Sequence, residues 1–264
     1  MKSPASCRPS FRRSNKTTHH KKERLVMNID GSVALVTGAN RGLGRAIVSA
    51  LVQAGAAKVY AAARDERQVP RGDSRVVPLT LDTTKPNQIA AAVEKANDVT
   101  LLINNAGALN SHNVLTMSPA ELDADFRTNV HGTLEVIKAF LPVLERARGG
   151  ATIANVLSLA SLGSFPPLGG YSASKAAAYS ITQALRPELK KKNIDILAVL
   201  PGPIDTDMVK DLQMPKTSAA DTARGLLAGI VQAEEEIFPD PMAQQMSALW
   251  NRSHKEYERA FATF

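Results

Sequence analysis

"SVALVTGANRGLGRAIVSALVQAG", residues 32–55, changes its period part-way along. The opening "SVALVT" (32–37) is an apolar run of strand length without polar alternation, the pattern of a strand covered on both faces. From Arg41 the spacing becomes that of a helix, and Gly55 suits its stop. Between the two lies "TGANRGLG" (37–44). Gly38, Gly42 and Gly44 let the backbone turn sharply and come close to a phosphate, while the following helix offers free N–H groups and its positive dipole end. The same loop would also serve as a bare strand-to-helix turn. No Gly-Lys-Ser or Gly-Lys-Thr follows, which disfavours a P-loop nucleotidase.

The unit repeats along the chain. Further apolar runs stand at "AKVYAAA" (57–63), "RVVPLTL" (75–81), "VTLLIN" (99–104), "ATIANVLS" (151–158) and "DILAVLP" (195–201). Helix-length stretches separate them, among them "PNQIAAAVEKAN" and residues 118–147, whose Ser118 and Glu121 have capping-box spacing. Strict alternation of strand and helix predicts an α/β fold, a doubly wound parallel sheet flanked by helices on both faces. Such a sheet binds ligands at the carboxyl ends of its strands. No repeat or linker interrupts the pattern, and 264 residues with 44% hydrophobic content suit a single domain.

A formal net charge of +7 would ordinarily invite a nucleic-acid partner, but its distribution argues otherwise. Residues 1–26 hold eight Lys or Arg against one Glu, which accounts for the whole excess. This segment is poor in apolar residues and is expected to be a flexible leader, with Met27 as an alternative start and residues 27–264 as the folded domain. A mitochondrial transit peptide is the competing reading, since the stretch is rich in Arg and Ser and nearly free of acid. No secretory h-region and no run of roughly 18 apolar residues is present, so a soluble, cytoplasmic protein without membrane or nucleic-acid partners is expected. A single cysteine, Cys7, permits no intramolecular disulfide. The five histidines lack metal-ligand spacing.

"GGYSASKAAAYSITQAL" (169–185) sets Tyr171 four residues before Lys175, on one face of a helix. Together with "TGANRGLG", "NNAG" (104–107), Ser158 thirteen residues before Tyr171, and "PGPIDT" (201–206), this set resembles the short-chain dehydrogenase/reductase family. The resemblance covers residues 27–240. It implies a Rossmann-type fold, a nicotinamide cofactor and hydride transfer between that cofactor and a carbonyl or alcohol.

Carried over by the resemblance, Tyr171 is the general acid/base, Lys175 lowers its pKa and holds the nicotinamide ribose, Ser158 orients the substrate oxygen, and Asn129 supports a water relay to the lysine. A free tyrosine has a pKa near about 10, so a fixed ammonium nearby is what would stabilise its anion. Gly38, Asn40, Arg41, Gly42, Leu43 and Gly44 would contact the dinucleotide. Asp82 and Thr83 would meet the adenine, Asn105, Ala106 and Gly107 the adenine-ribose side, and Pro201, Gly202, Ile204 and Thr206 the nicotinamide. NAD-specific members carry an acid at the end of the second strand; here Ala63 stands there, followed by Arg64. Arg64 and Arg41 suit a 2′-phosphate, which points to NADP(H), with NAD(H) the alternative should Asp65 grip a ribose hydroxyl.

Residues 207–217 are short for a substrate lid and predict an open pocket for small aldehydes and ketones, while 239–261 reads as an amphipathic helix that closes the pocket or meets a neighbouring subunit. The resemblance implies a homodimer or homotetramer paired through helices in 118–148 and 171–190. Competing readings are a cofactor-sensing regulator without turnover, an NAD-dependent alcohol dehydrogenase, and a non-redox relative of the dehalogenase type. Retention of Tyr171 and Lys175 counts against the first and the last.

Overall fold

The structure is a computed structural model that describes residues 27–110 and 113–263; the expected leader lies outside the described residues. Strands and helices alternate: β1 (Val33–Thr37), α1 (Gly42–Gln53), β2 (Lys58–Ala63), β3 (Val76–Thr80), α2 (Pro86–Lys95), β4 (Leu101–Asn104), α3 (Pro119–Phe126), α4 (Thr133–Leu144), β5 (Ala151–Val156), α5 (Gly169–Lys190) and β6 (Ile194–Val199). There follow β7 (Ile204–Asp205), β8 (Thr217–Ser218), α6 (Ala219–Val231), β9 (Glu236–Ile237), α7 (Pro241–Arg252) and α8 (His254–Phe261).

Seven strands form one sheet in the order β3-β2-β1-β4-β5-β6-β9. Every pairing in it is parallel. Leu35 sits between Tyr60 of β2 and Leu102 of β4, so the winding reverses at β1 and opens a crevice beside the β1 and β4 ends. This is the Rossmann-like, doubly wound single domain expected from the alternating sequence.

Side-chain alternation explains why these strands read as continuous apolar runs. Ala34, Val36, Leu101 and Ile103 join Ile47 and Leu51 of α1 and Leu226 and Ile230 of α6 in one buried cluster. Leu35, Leu102 and Ile153 point the other way, to Ile89 of α2, Val136 and Phe140 of α4 and Leu189 of α5. Neither face is left wet, so no position in β1 or β4 needs a polar side chain until the strand ends.

Two departures from the sequence expectations matter for the site. Residues 118–147 do not form one helix: a π turn at Arg127–Gly132 separates α3, with its Ser118–Glu121 capping box, from α4. The apolar periodicity runs through this widened turn, so the single extra residue leaves no trace in the pattern. The turn also brings Gly132 against Thr83, whose Oγ1 would lie 2.8 Å from an added Cβ. The C-terminal stretch is two helices, because Ser253 adopts extended backbone and caps α8, its hydroxyl accepting from Glu256 N–H at 3.2 Å.

α7 and α8 build a third apolar cluster against the segment that follows β5. Leu159, Ala160 and Phe165 pack with Ala243, Met246, Tyr257 and Phe261. Tyr257 is fully buried, and its hydroxyl donates to the Leu159 carbonyl at 2.7 Å. The last helix is thereby fastened to the residue next to Ser158.

Candidate active site

A cavity of about 750 Å³ opens at the carboxyl ends of the strands. It is lined by every residue proposed for the cofactor and substrate from sequence except Asn129, which lies just behind the wall. Its floor is the turn between β1 and α1. Gly38 has φ +66°, in the left-handed region, and an added Cβ would lie 3.0 Å from Ala106 Cα. At Gly44 a Cβ would collide with the Gly38 carbonyl oxygen and the Asn105 amide. The turn is thus packed from below, and its upper side stays bare backbone. Arg41 makes no side-chain cap on α1 and the first turn holds no acid, so the helix presents its N–H groups and dipole to the cavity.

Asn105 holds this turn in shape. Its Nδ2 donates to the Thr37 and Gly38 carbonyls at 2.9 and 3.2 Å, while Thr37 Oγ1 accepts from the backbone N–H groups of Asn105 and Ala106 at 3.0 and 2.9 Å. Asn105 lines the cavity as expected, yet its amide is spent on the loop and not on the ribose side. Asn40 is likewise tied to Gln68, at 2.9 Å. Thr37 had no signal of its own in the sequence beyond its place at the strand end.

Farther along the crevice, Arg64 is exposed after β2 and faces Asp82 after β3. Burial pushes the Asp82 carboxyl up, but the Thr84 N–H and hydroxyl together with Arg64 and Lys85 outweigh it and hold the group below its ordinary value. Asp65 accepts from Arg67 Nε and Nη2 at 2.9 Å each and from its backbone N–H at 3.1 Å, capping a short turn. In this arrangement its carboxylate faces Arg67. Arg41 pairs with Asp207 at 3.2 Å, both side chains well exposed. An exposed pair of that kind is worth at most about 1 kcal/mol, so it does not withhold Arg41 from an incoming phosphate.

At the β5 end stand Ser158, Tyr171 and Lys175. Lys175 is 5% exposed; its Nζ donates to the Val156 carbonyl at 2.9 Å and lies 5.7 Å from the Tyr171 ring centroid. Burial pushes Lys175 down to about 8, against a pull upward from Asp125. Burial also pushes the Tyr171 hydroxyl up to about 12, with a hydrogen bond to Ser158 acting the other way. In this arrangement the balance at Tyr171 is upward. The ammonium is engaged by a carbonyl, and the loss of water around the phenol dominates.

Asn129 lies on the π turn, and its side chain is fully used. Nδ2 donates to the Ala108 carbonyl and to Ser174 Oγ at 2.9 Å each, and Oδ1 accepts from Ala108 N–H at 2.8 Å. The amide joins the loop after β4 to α5 beside Lys175, which makes it a brace. Asp125, fully buried, accepts from the backbone and the side chain of Asn110 at 2.9 Å each, holding the same loop one turn earlier. On the other wall, Asp240 caps α7 through Ala243 N–H at 2.9 Å and accepts from Gly202 N–H at 2.8 Å. Burial raises the Asp240 pKa, with those backbone donors pulling against it. Sequence reasoning missed Asp125, Asp240 and Tyr257; only Asp240, preceding a proline at a helix start, carried a readable signal.

Motifs, order and geometry can now be set beside known proteins. The short chain dehydrogenase family description matches residues 32–217. The chain belongs to this family. Among oxidoreductases of the family, the chain is 37% identical to a short chain dehydrogenase from Burkholderia cenocepacia J2315 in complex with NADP, with TM-score 0.84 over 89% of this chain and 99% of that one. A short chain dehydrogenase/reductase from Burkholderia phymatum in complex with NAD superposes with TM-score 0.76 at 25% identity, covering 86% and 95% of the two chains. The 3-oxoacyl-[acyl-carrier-protein] reductase FabG of Vibrio cholerae is 32% identical over 202 residues, 73% of this chain and 82% of that protein. Among the described residues no helix is long and apolar enough to cross a membrane, and no group of three or more His, Cys, Asp or Glu is placed to hold a metal.

Proposed function

We propose that this short-chain dehydrogenase is an NADP(H)-dependent reductase of aldehydes or ketones, with Tyr171 as the proton donor. The observation that carries the reading is the grouping of Ser158, Tyr171 and the buried Lys175 in the same cavity as the bare glycine turn. The cradle fits a dinucleotide: its backbone is exposed, the first turn of α1 has no acid to repel a pyrophosphate, and Arg64 and Arg41 stand exposed around the β1 and β2 ends. Arg64, with Asp65 turned to Arg67, suits a 2′-phosphate better than a ribose diol.

When bound, the reduced nicotinamide supplies a hydride for the carbonyl carbon. Ser158 donates its hydroxyl to the carbonyl oxygen and fixes its position. Tyr171 gives its phenolic proton to the same oxygen, which becomes the alcohol hydroxyl, and the phenolate is reprotonated from solvent. With its pKa up at about 12, Tyr171 holds that proton throughout the neutral range. The acid form that reduction needs is therefore the one present at neutral pH. Lys175 supplies positive charge beside the nascent phenolate and a donor for the ribose. Asn129 positions Lys175 through Ser174 and Ala108.

Consumption of NADPH against aldehydes, ketones, quinones and 3-oxoacyl thioesters tests the proposal; cofactor binding with no turnover on any of them would move the protein to the sensing reading. Arg64→Ala is expected to raise the KM for NADPH by about 10–100-fold, the loss of one charge-assisted phosphate contact, and to leave NADH unchanged. Equal effects on both cofactors would assign Arg64 elsewhere. The pH profile follows from Lys175, whose charge is complete below about 8 and lost above it. Measured with respect to NADPH, kcat/KM reports the free enzyme and should be flat below that pH, then fall about tenfold per unit above it. A profile that stays level to pH 9.5 would place the Lys175 titration above that pH instead of at about 8. The reading extends to a cytoplasmic homodimer or homotetramer, as family membership supports, and sedimentation decides between them.

A further inference from the structure

The cavity is not uniform along its length. Its charged residues collect toward one end: Arg41 after β1, Arg64 after β2, Asp82 after β3, and Asp207, which is paired with Arg41. Apart from these and Lys175, no described residue that lines the cavity is charged. Phe165, Leu168, Met208, Leu212, Met214 and Phe261 also line it. Phe165, Leu168, Leu212 and Phe261 belong to the same apolar cluster as the Tyr171 ring.

Two segments that sequence reading treated as uncertain build this wall. Residues 207–217, although short for a lid, place Met208, Leu212 and Met214 on the cavity. From the other side comes α8, beyond the portion matched by the family description. Phe261 is 8% exposed, with its ring centroid 6.0 Å from Phe165 and 5.4 Å from Tyr257. Tyr257 anchors the helix on the Leu159 carbonyl at 2.7 Å. The position of Phe261 is thus tied, through Tyr257, to the residue adjacent to Ser158.

From this we infer that the substrate is an uncharged carbonyl compound whose non-reacting part is apolar, and that Phe261 with Met214 sets this specificity. The inference rests on the reading of Ser158 and Tyr171 as the carbonyl-binding pair. A carboxylate or phosphate carried next to the carbonyl would be desolvated where it lies against aromatic and thioether side chains, whereas an alkyl or aryl group gains from the same contact.

A pair of compounds tests it: ethyl 3-oxohexanoate and free 3-oxohexanoate share the reacting ketone, and the ester replaces the charge with an apolar ethyl group. With NADPH, kcat/KM for the ester is expected to exceed that for the acid by at least about tenfold, the penalty for an unpaired charge in an apolar pocket. Phe261→Arg is expected to narrow or invert the ratio by raising turnover of the acid. Should that variant fail to fold, Met214→Arg, at a half-buried position, carries the same test. Saturation-transfer NMR of both compounds on the NADP⁺-saturated protein separates the two levels of argument. Ester binding with no NADPH consumption on it or on any member of the carbonyl panel would end the reductase reading and leave the pocket assignment standing. Equal or better use of the acid by the wild-type protein would overturn the inference and leave the reductase reading intact, and binding of neither compound would overturn it as well.

Discussion

Tyr171→Phe is expected to lower kcat for carbonyl reduction by about 10²–10⁴-fold, the usual contribution of a positioned general acid, with NADPH affinity unchanged. The substitution removes one oxygen. Tyr171 is partly buried on α5, its ring packs in the apolar cluster with Leu168 and Phe165, and those contacts survive in phenylalanine. Fold stability should therefore stay within about 1 kcal/mol, the scale of one lost hydrogen bond, here to Ser158. The useful comparison is between kcat and the dissociation constant of NADPH. A drop in both would indicate damage to the cavity rather than loss of a proton donor, and near wild-type turnover would remove Tyr171 from the chemistry.

Gly44→Val is expected to abolish measurable dinucleotide binding and to cost about 2–4 kcal/mol of stability, as an overpacked site with no room to relax. The reason is local and geometric. The added Cβ meets the Gly38 carbonyl oxygen and the Asn105 amide, which would lie 2.6 Å away. Backbone cannot swing aside as a long side chain can. Relief requires the β1–α1 turn to lift, and lifting breaks the bonds from Asn105 to Thr37 and Gly38 that shape the cradle. Titration calorimetry with NADPH and a denaturant melt read the two parts separately. Retained affinity in a folded Gly44→Val protein would mean that the cradle is not where the cofactor sits.

Much of this was legible in residues 32–55 alone. Continuous apolar runs such as "SVALVT" meant strands covered on both faces, and Ala34 and Val36 do face α1 while Leu35 faces the opposite layer. Gly38 and Gly44 announced a close backbone approach, and the structure shows one from below, against Ala106 and Asn105. The grouping of Ser158, Tyr171 and Lys175 was implied by the family resemblance of their motifs, and all three line the cavity.

What stayed hidden depends on contacts remote in the chain. The π turn at Asn129 adds one residue to a helix without disturbing its apolar spacing. Tyr257 looked like one aromatic on an amphipathic stretch, and its bond to Leu159 spans 98 residues. The upward balance at Tyr171 was hidden for a similar reason. Four-residue spacing puts Lys175 on the same face, but its ammonium donates a hydrogen bond to the Val156 carbonyl, nineteen residues away in sequence. Asp125 had no signal at all, because a buried acid on a helix reads like any solvated one until Asn110 is seen bonded to it.

The central claim is that hydride passes from the nicotinamide to a carbonyl carbon in this cavity while Tyr171 supplies the proton. NADPH carrying deuterium at nicotinamide carbon 4, on the face the enzyme uses, tests it most directly when incubated with ethyl 3-oxohexanoate and the alcohol analysed by mass spectrometry and NMR. Both C4-deuterated epimers are assayed, so that the transferred face is identified in the same experiment. The account predicts deuterium on the carbinol carbon from one epimer only, no deuterium on the hydroxyl after exchange, and loss of the product with Tyr171→Phe. Alcohol formed without deuterium from either epimer, or formed equally well by the phenylalanine variant, would contradict it.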